Sequence, residues 1–178
     1  CKLACVSSKT LEILTNKAET FFFLKKNGFQ VPQTKVIMNF NDLQITVEEM
    51  FKELKDVVVK PSSARGGRGV HIISSSFKGK SNFDDRREIH SDLPTFINDL
   101  MGDLKNDFPL IVMERLVEPV IDIDLLAWKG KPITVVARKR INSAVPNDGH
   151  TIIDDEKLIN LGHKLIKSFN LSWLYDCD

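Results

Sequence analysis

"VVVKPSSARGGRGVHIIS", residues 57–74, is the stretch on which the fold turns. Three valines run into Lys60, and a second apolar run begins at Val70. Between them lie two serines, Arg65, Arg68 and the glycines Gly66, Gly67 and Gly69. The pattern predicts two strands, 57–60 and 69–74, with the glycine run as the tip of a hairpin-like unit. A lysine closing an apolar strand must bring its ammonium to water or to an anion. Glycines lack Cβ, so their amides can close on an anion from several directions. Phosphate fits both features, yet two familiar phosphate loops are excluded. A Walker A loop needs G-x-x-x-x-G-K-[ST]; at Gly79-Lys80-Ser81 the first glycine is replaced by Ser74. A G-x-G-x-x-G reading fails because Gly67 and Gly69 are followed by Ile72.

Upstream, "NKAETFFFLKKNGF" reads as a helix capped by Asn16 and stopped at Gly28, after a short helix over "SSKTLEIL". "TKVIM" (34–38) is strand-like, and Thr46 with Glu49 has capping-box spacing, so a helix is expected from "TVEEMFKEL". Downstream, the charged and aperiodic residues 75–92 read as a surface loop. A helix near 94–105 and a strand "PLIVME" (109–114) follow. "VIDIDLLAW" alternates, with Asp122 and Asp124 on one face. A turn at Gly130 returns the chain through "PITVVARKR", which sets Arg138 opposite Asp122; an ion pair is the plain reading of those charges. "INSAVPNDGHTI" reads as a loop, and 154–170 as a helix whose stripe Leu158, Leu161, Leu165 and Ile166 belongs to a core. The order of elements is that of an α+β protein in two halves. The expected divisions are a lead-in over 1–33, a first subdomain over 34–113 and a second over 114–178.

Composition bounds the function. A chain of 178 residues with 42% hydrophobic and 28% charged content has the make-up of an ordinary globular protein. A net charge of +1 gives no reason to expect nucleic acid or a membrane as partner. Cys1, Cys5 and Cys177 form no C-x-x-C, and no leader-like stretch opens the chain, so a reduced, cytoplasmic setting is expected. His71, His90, His150 and His163 have no metal-ligand spacing. A start at Cys1 and an end in the strand-like "SWLYDCD" read as boundaries within a larger protein, whose remaining parts are expected partners.

Taken in order, "NKAETFFFLKKNGFQVPQT", "VVVKPSSARGGRGV", "PLIVMERLVEP", "IDIDLLA" and "VVARKR" resemble an ATP-grasp domain. The resemblance is greatest to the branch holding the carbamoyl-phosphate synthetase large chain and other carboxylate–amine ligases. It implies two α+β subdomains that sandwich ATP. Lys17 stands at the family's phosphate-facing position, where a cation at a helix start otherwise opposes the helix dipole. Lys60 would lie along the α- and β-phosphates, and Gly66, Gly67 and Gly69 would close over the triphosphate as a flap. Backbone groups of Glu114, Arg115 and Leu116 would read the adenine edge. The family glutamate that binds ribose is replaced by Val120, which leaves Glu118 or Asp122 to take its place. Arg138 and Arg140 would face the transferred phosphoryl or the acid substrate, with the strand ion pair as the alternative, and Asn142 and residues 148–151 would line the same site. Asp178 matches the first magnesium ligand (manganese being the other candidate ion), while the family's E-x-N is absent from these residues. The implied reaction passes the ATP γ-phosphoryl to a carboxylate or bicarbonate, giving an acyl phosphate that an amine or ammonia attacks. A fragment ending here is expected to be inactive alone. A nucleotide-binding regulatory module without catalysis is the competing reading.

Overall fold

The computed structural model describes residues 5–64, 69–82, 88–142 and 148–177. The chain forms two compact units, one of Thr15–Leu116 and one of Cys1–Leu14 with Val117–Asp178. Each unit has its own sheet, and the α+β class expected from the sequence is what forms.

The unit Thr15–Leu116 is built on a six-stranded sheet. Its elements in chain order are α2 (Lys17–Lys26), β1 (Thr34–Ile37), α3 (Phe40–Leu54), β2 (Asp56–Pro61), β3 (Val70–Ser74), β4 (Lys80–Asn82), β5 (Glu88–Ser91), α4 (Leu93–Thr95) and β6 (Leu110–Glu114), after α1 (Ser8–Thr15) of the other unit. From α4 the chain stays helical through a wide turn at Phe96–Leu100 and a tight one at Met101–Asn106. The sheet order is β1-β6-β2-β3-β5-β4. β2 and β3 pair antiparallel, Val57 opposite Ile73 and Val59 opposite His71, so the glycine run connects two neighbouring strands as the sequence predicts. Alternation sends Val57, Val59, Ile73, Leu110 and Val112 to one face, where Leu43, Val47 and Met50 of α3 and Phe96, Leu100 and Leu104 complete the core.

Two expectations need correction here. α3 starts well before Thr46, because the Asn39 side chain accepts from the Asp42 amide (3.1 Å) and Leu43, Val47 and Met50 already form an apolar stripe from that start. Thr46 is buried in mid-helix, so its spacing to Glu49 is incidental. Residues 75–92 are not only loop: β5 runs parallel to β3 and antiparallel to β4. Strands this short have no readable period; the ladder of β3 recruits them, and His90 and Ser91 become buried.

The other unit is a four-stranded sheet of order β10-β7-β8-β9, made of β7 (Ile121–Trp128), β8 (Lys131–Arg140), β9 (His150–Ile153) and β10 (Trp173–Cys177). One face is covered by α5 (Glu156–Phe169), capped by Asp155 and ended by Asn170 in the left-handed region, φ 50°. The helix stripe differs from expectation: Gly162, Ile166 and Phe169 are buried, whereas Leu161 is exposed. Gly162 decides this, since a Cβ there would stand 2.6 Å from Val135 Cγ1 and 2.9 Å from Leu125 Cδ2. The helix lies so close to the sheet that only glycine fits. β9 likewise occupies the end of the expected loop, with His150 opposite Arg140. No helix among the described residues is long and apolar enough to cross a membrane.

Candidate functional site

Strand alternation divides β2 chemically. Val57 and Val59 enter the core, so Val58 and Lys60 face the opposite side. The register gives that side Ile72 and Met113 beside Val58, and Ile111 beside Lys60. An apolar sheet face thus carries one ammonium near its end, and the Lys60 Nζ stands 5.8 Å from the centre of the Phe21 ring on α2. Phe21 is a contact that no spacing in the sequence announced.

Lys17 is the first residue of α2, whose N-cap Asn16 accepts from the amides of Ala18 (3.0 Å) and Glu19 (3.3 Å). Its own amide donates to the Ser62 carbonyl at 2.8 Å, and its Nζ donates to the Ala64 carbonyl. The Ser62 amide in turn donates to the Pro109 carbonyl at 3.0 Å. Helix start, strand end and loop entrance are therefore tied together, and both lysines serve the same turn of chain. Gly69 has φ 69°, and a Cβ there would be 3.2 Å from the Pro61 ring, so the loop exit needs glycine. Gly66 and Gly67 lie outside the described residues.

At the end of β6 the Glu114 amide is already donated to the Gln33 carbonyl, 3.0 Å. Arg115 is 3.9 Å from an Asp56 oxygen and 5.8 Å from the centre of the Phe77 ring. Leu116 is exposed and outside any strand, so its amide is not spent on the sheet.

In the other unit, α5 covers the face holding Ile123, Leu125 and Val135. The opposite face therefore holds Asp122, Asp124, Arg138, Arg140, His150 and Asp176. Arg138 does lie opposite Asp122 in register, as expected, but its side chain runs diagonally. Its Nε is 2.5 Å from Asp124 Oδ2, its Nη2 is 3.0 Å from Asp124 Oδ1, and Asp176 Oδ1 is 3.4 Å from Nη2. Asp122 instead accepts from Arg140, Nε at 2.8 Å and Nη2 at 2.5 Å, and its Oδ2 is 3.2 Å from His150 Nε2. The Arg140 hydrogen bonds hold the buried Asp122 carboxyl below its ordinary pKa, against burial, which works the other way. Asp124 raises that of Arg138 in the same manner.

Both Asp122 oxygens are thus occupied within the sheet, while Glu118 is exposed and Val120 half-buried. The Asn142 side chain reaches Asp148 at 3.3 Å. Asp178 lies outside the described residues, and the described residues gather no set of three acids, histidines or cysteines able to hold a metal ion. Sequence reading missed Asp176 and the partner choice of Asp124, since only the β10–β7 register, Asp176 opposite Asp124, brings them together.

No protein-family model and no curated protein matches the chain. Solved structures do. The ATP-grasp ligase PsnB, in complex with a minimal precursor, superposes with a TM-score of 0.59 at 12% identity, over 96% of this chain and 48% of that one. The D-alanine–D-alanine ligase of Coxiella burnetii gives 0.63 at 12% identity, over 94% and 43%. The biotin carboxylase domain of Hydrogenobacter thermophilus 2-oxoglutarate carboxylase, with MgADP, ADP and bicarbonate, gives 0.61 at 16%, over 94% and 37%. The fold is ATP-grasp, and the chain spans less than half the length of each of these proteins.

Proposed function

We propose that this chain is the ATP-binding part of an ATP-dependent ligase that makes an acyl phosphate from a carboxylate or bicarbonate. An amine or ammonia would then displace the phosphate and form a carbon–nitrogen bond, as in the carbamoyl-phosphate synthetase branch. The observation that carries this reading is that Lys17 is bonded to the Ser62 and Ala64 carbonyls, the stretch that leads from Lys60 into the glycine run. Two ammonium groups and glycine amides at one loop match the three to four negative charges of a triphosphate. In this reading Lys60 follows the α- and β-phosphates, Lys17 releases Ala64 to reach phosphate, and Gly66, Gly67 and Gly69 donate amides. The adenine edge meets the Glu114 carbonyl and the Leu116 backbone, the Glu114 amide being in use.

Catalysis would then be positioning and charge neutralisation, with no covalent enzyme intermediate. The described residues do not form a magnesium set, so no step is assigned to the metal; Asp178 remains the residue to test for it. One solved structure of this fold, the biotin carboxylase domain, holds MgADP and bicarbonate, which supports the same substrate class for the reaction. A second reading, a nucleotide-binding regulatory module, draws on Val120 at the ribose position and on two arginines that already have carboxylate partners.

Calorimetric titration of the chain with ATP and with adenosine tests the proposal. Lys60→Ala is expected to weaken ATP by about 1.5 kcal/mol, roughly tenfold, and to leave adenosine unchanged. Equal losses for the two ligands would make Lys60 a structural residue and remove the phosphate reading.

A further inference from the structure

The chain has two tryptophans, and both stand at one end of the four-stranded sheet. Trp128 closes β7 and Trp173 opens β10, and their rings meet edge-on at 79° with centroids 5.0 Å apart. They are 46% and 42% exposed, and Ile133 of β8 and Leu174 of β10 beside them are more exposed still. Trp173 has φ 82°, a region that a bulky side chain rarely adopts, so the fold holds this ring in place against local preference. The turn at Lys129–Gly130 is anchored to the same place: the Lys129 amide donates to Ser172 Oγ and the Gly130 amide to the Leu171 carbonyl, each at 2.8 Å. Charge at this end is one-sided. Lys129 and Lys131 flank Gly130, and Lys167 lies in the last turn of α5. The acids of α5, Asp155 and Glu156, belong to its opposite end, about 20 Å along the helix. A net charge of +1 conceals this sorting, because it sums over both ends.

We propose that this end of the sheet docks on an anionic lipid bilayer, with Trp128 and Trp173 entering the headgroup layer and Lys129, Lys131 and Lys167 facing the lipid anions. Tryptophan suits that layer, having an apolar body and an N–H that stays wet. Lysines beside it supply the attraction to an anionic leaflet. Nucleic acid fits less well. The Lys129 Nζ is 5.5 Å from the centre of the Trp128 ring and Trp173 meets that ring nearly at right angles, so the pair offers no parallel slot for a base. The apolar residues sit at strand ends rather than across a sheet face, an end-on group that a fluid interface can envelop and a flat protein partner cannot. Lipid docking stands apart from nucleotide binding, which uses neither tryptophan.

Because the chain has only these two tryptophans, intrinsic fluorescence reads this end alone. Titrating the 178-residue chain with phosphatidylserine–phosphatidylcholine vesicles should move the emission to shorter wavelength, and lipids brominated in the acyl chain should quench it. Binding should be at least about tenfold weaker to phosphatidylcholine vesicles, and to the anionic ones in high salt. Vesicle sedimentation of Lys129→Gln combined with Lys131→Gln should show partitioning down about tenfold or more, at unchanged Tm. Trp173→Asn, a residue that tolerates positive φ, should lower partitioning severalfold and keep the fold. Lys139→Gln, at the other end of β8 and opposite Ile121, should partition like the wild type. No binding to anionic vesicles, equal binding to both vesicle types, or binding that leaves the emission unmoved would overturn the proposal. So would an emission shift that grows with protein concentration in the absence of lipid, which would give this end to a second copy of the chain. A shift produced by a single-stranded oligonucleotide and not by vesicles would overturn it as well.

Discussion

His71 lies opposite Val59 on the core side of the larger sheet, its ring edge-on to Phe96 with centroids 5.5 Å apart. It is 3% exposed, and its Nδ1 has no hydrogen-bond partner among the described residues. Burial pulls its pKa from 6.5 down to about 4, with Asp103 and Asp107 opposing and Lys80 assisting. The unfolded chain therefore takes up this proton near pH 6.5 and the folded one only near pH 4. Between those values the unfolded state binds more protons, so stability rises with pH. The full contribution is present above 6.5 and is lost as pH falls toward 4, on the order of 3 kcal/mol in all. Urea denaturation at pH 7 and pH 5 should show the wild-type chain losing about 2 kcal/mol over that interval from this group. His71→Leu should lose correspondingly less. Identical losses in both proteins would mean that the histidine is solvated after all. The residue scale also shows what a sequence can disclose about a site. The place of Lys60 near the end of an apolar strand was legible in the run of valines before it, and its phosphate contact stays a proposal. The partners of Arg138 were not legible, because a one-residue shift in either of two strand registers would have given it different carboxylates.

Among elements, α5 is where local preference and tertiary demand conflict. Glycine in a helix interior costs up to ~1 kcal/mol relative to alanine. Gly162 persists because the helix seats on β7 and β8 with no room for a methyl group, as the 2.6 Å approach to Val135 Cγ1 shows. Gly162→Ala should therefore destabilise the chain despite its better helix propensity, by about 1 kcal/mol net, since overpacking costs ~1–3 kcal/mol. Thermal denaturation checks this: a raised Tm would mean that α5 can lift from the sheet without cost. Asn39→Ala belongs to the same scale and should cost ~1 kcal/mol by removing the cap of α3. Most elements were readable from period and caps, as with α2, β2, β3, β7 and β8. The failures have two causes. The start of α3 was hidden by a second plausible cap inside the helix, and β4, β5 and β9 are three or four residues long, below the length at which alternation can be recognised.

For the whole molecule the decisive property is which nucleotide stabilises it. A ligand that binds only the folded chain raises stability by RT ln(1 + [L]/Kd), about 2.7 kcal/mol at a hundredfold excess over Kd. In a chain of this size each kcal/mol moves Tm by roughly 2–4 °C. ATP in that excess should therefore raise Tm by roughly 5–10 °C. The purine edge decides whether GTP can do the same. Adenine offers a donor where guanine offers an acceptor, and the Glu114 amide, bonded to Gln33, cannot be recruited to adapt. The Glu114 carbonyl and the Leu116 amide are left as a fixed acceptor and donor, and a mismatched polar group there costs ~1–3 kcal/mol. The chain should consequently prefer ATP over GTP by about tenfold or more. Leu116→Pro removes one of the two readers without removing an apolar core residue, because Leu116 is exposed. That variant should bind ATP less tightly and discriminate less, while keeping the affinity difference between ATP and adenosine proposed for the lysines. Equal Tm shifts with ATP and GTP in the wild-type chain would remove the Glu114–Leu116 backbone from the proposed site, and the phosphate contacts proposed for Lys17 and Lys60 would then have to account for nucleotide binding alone.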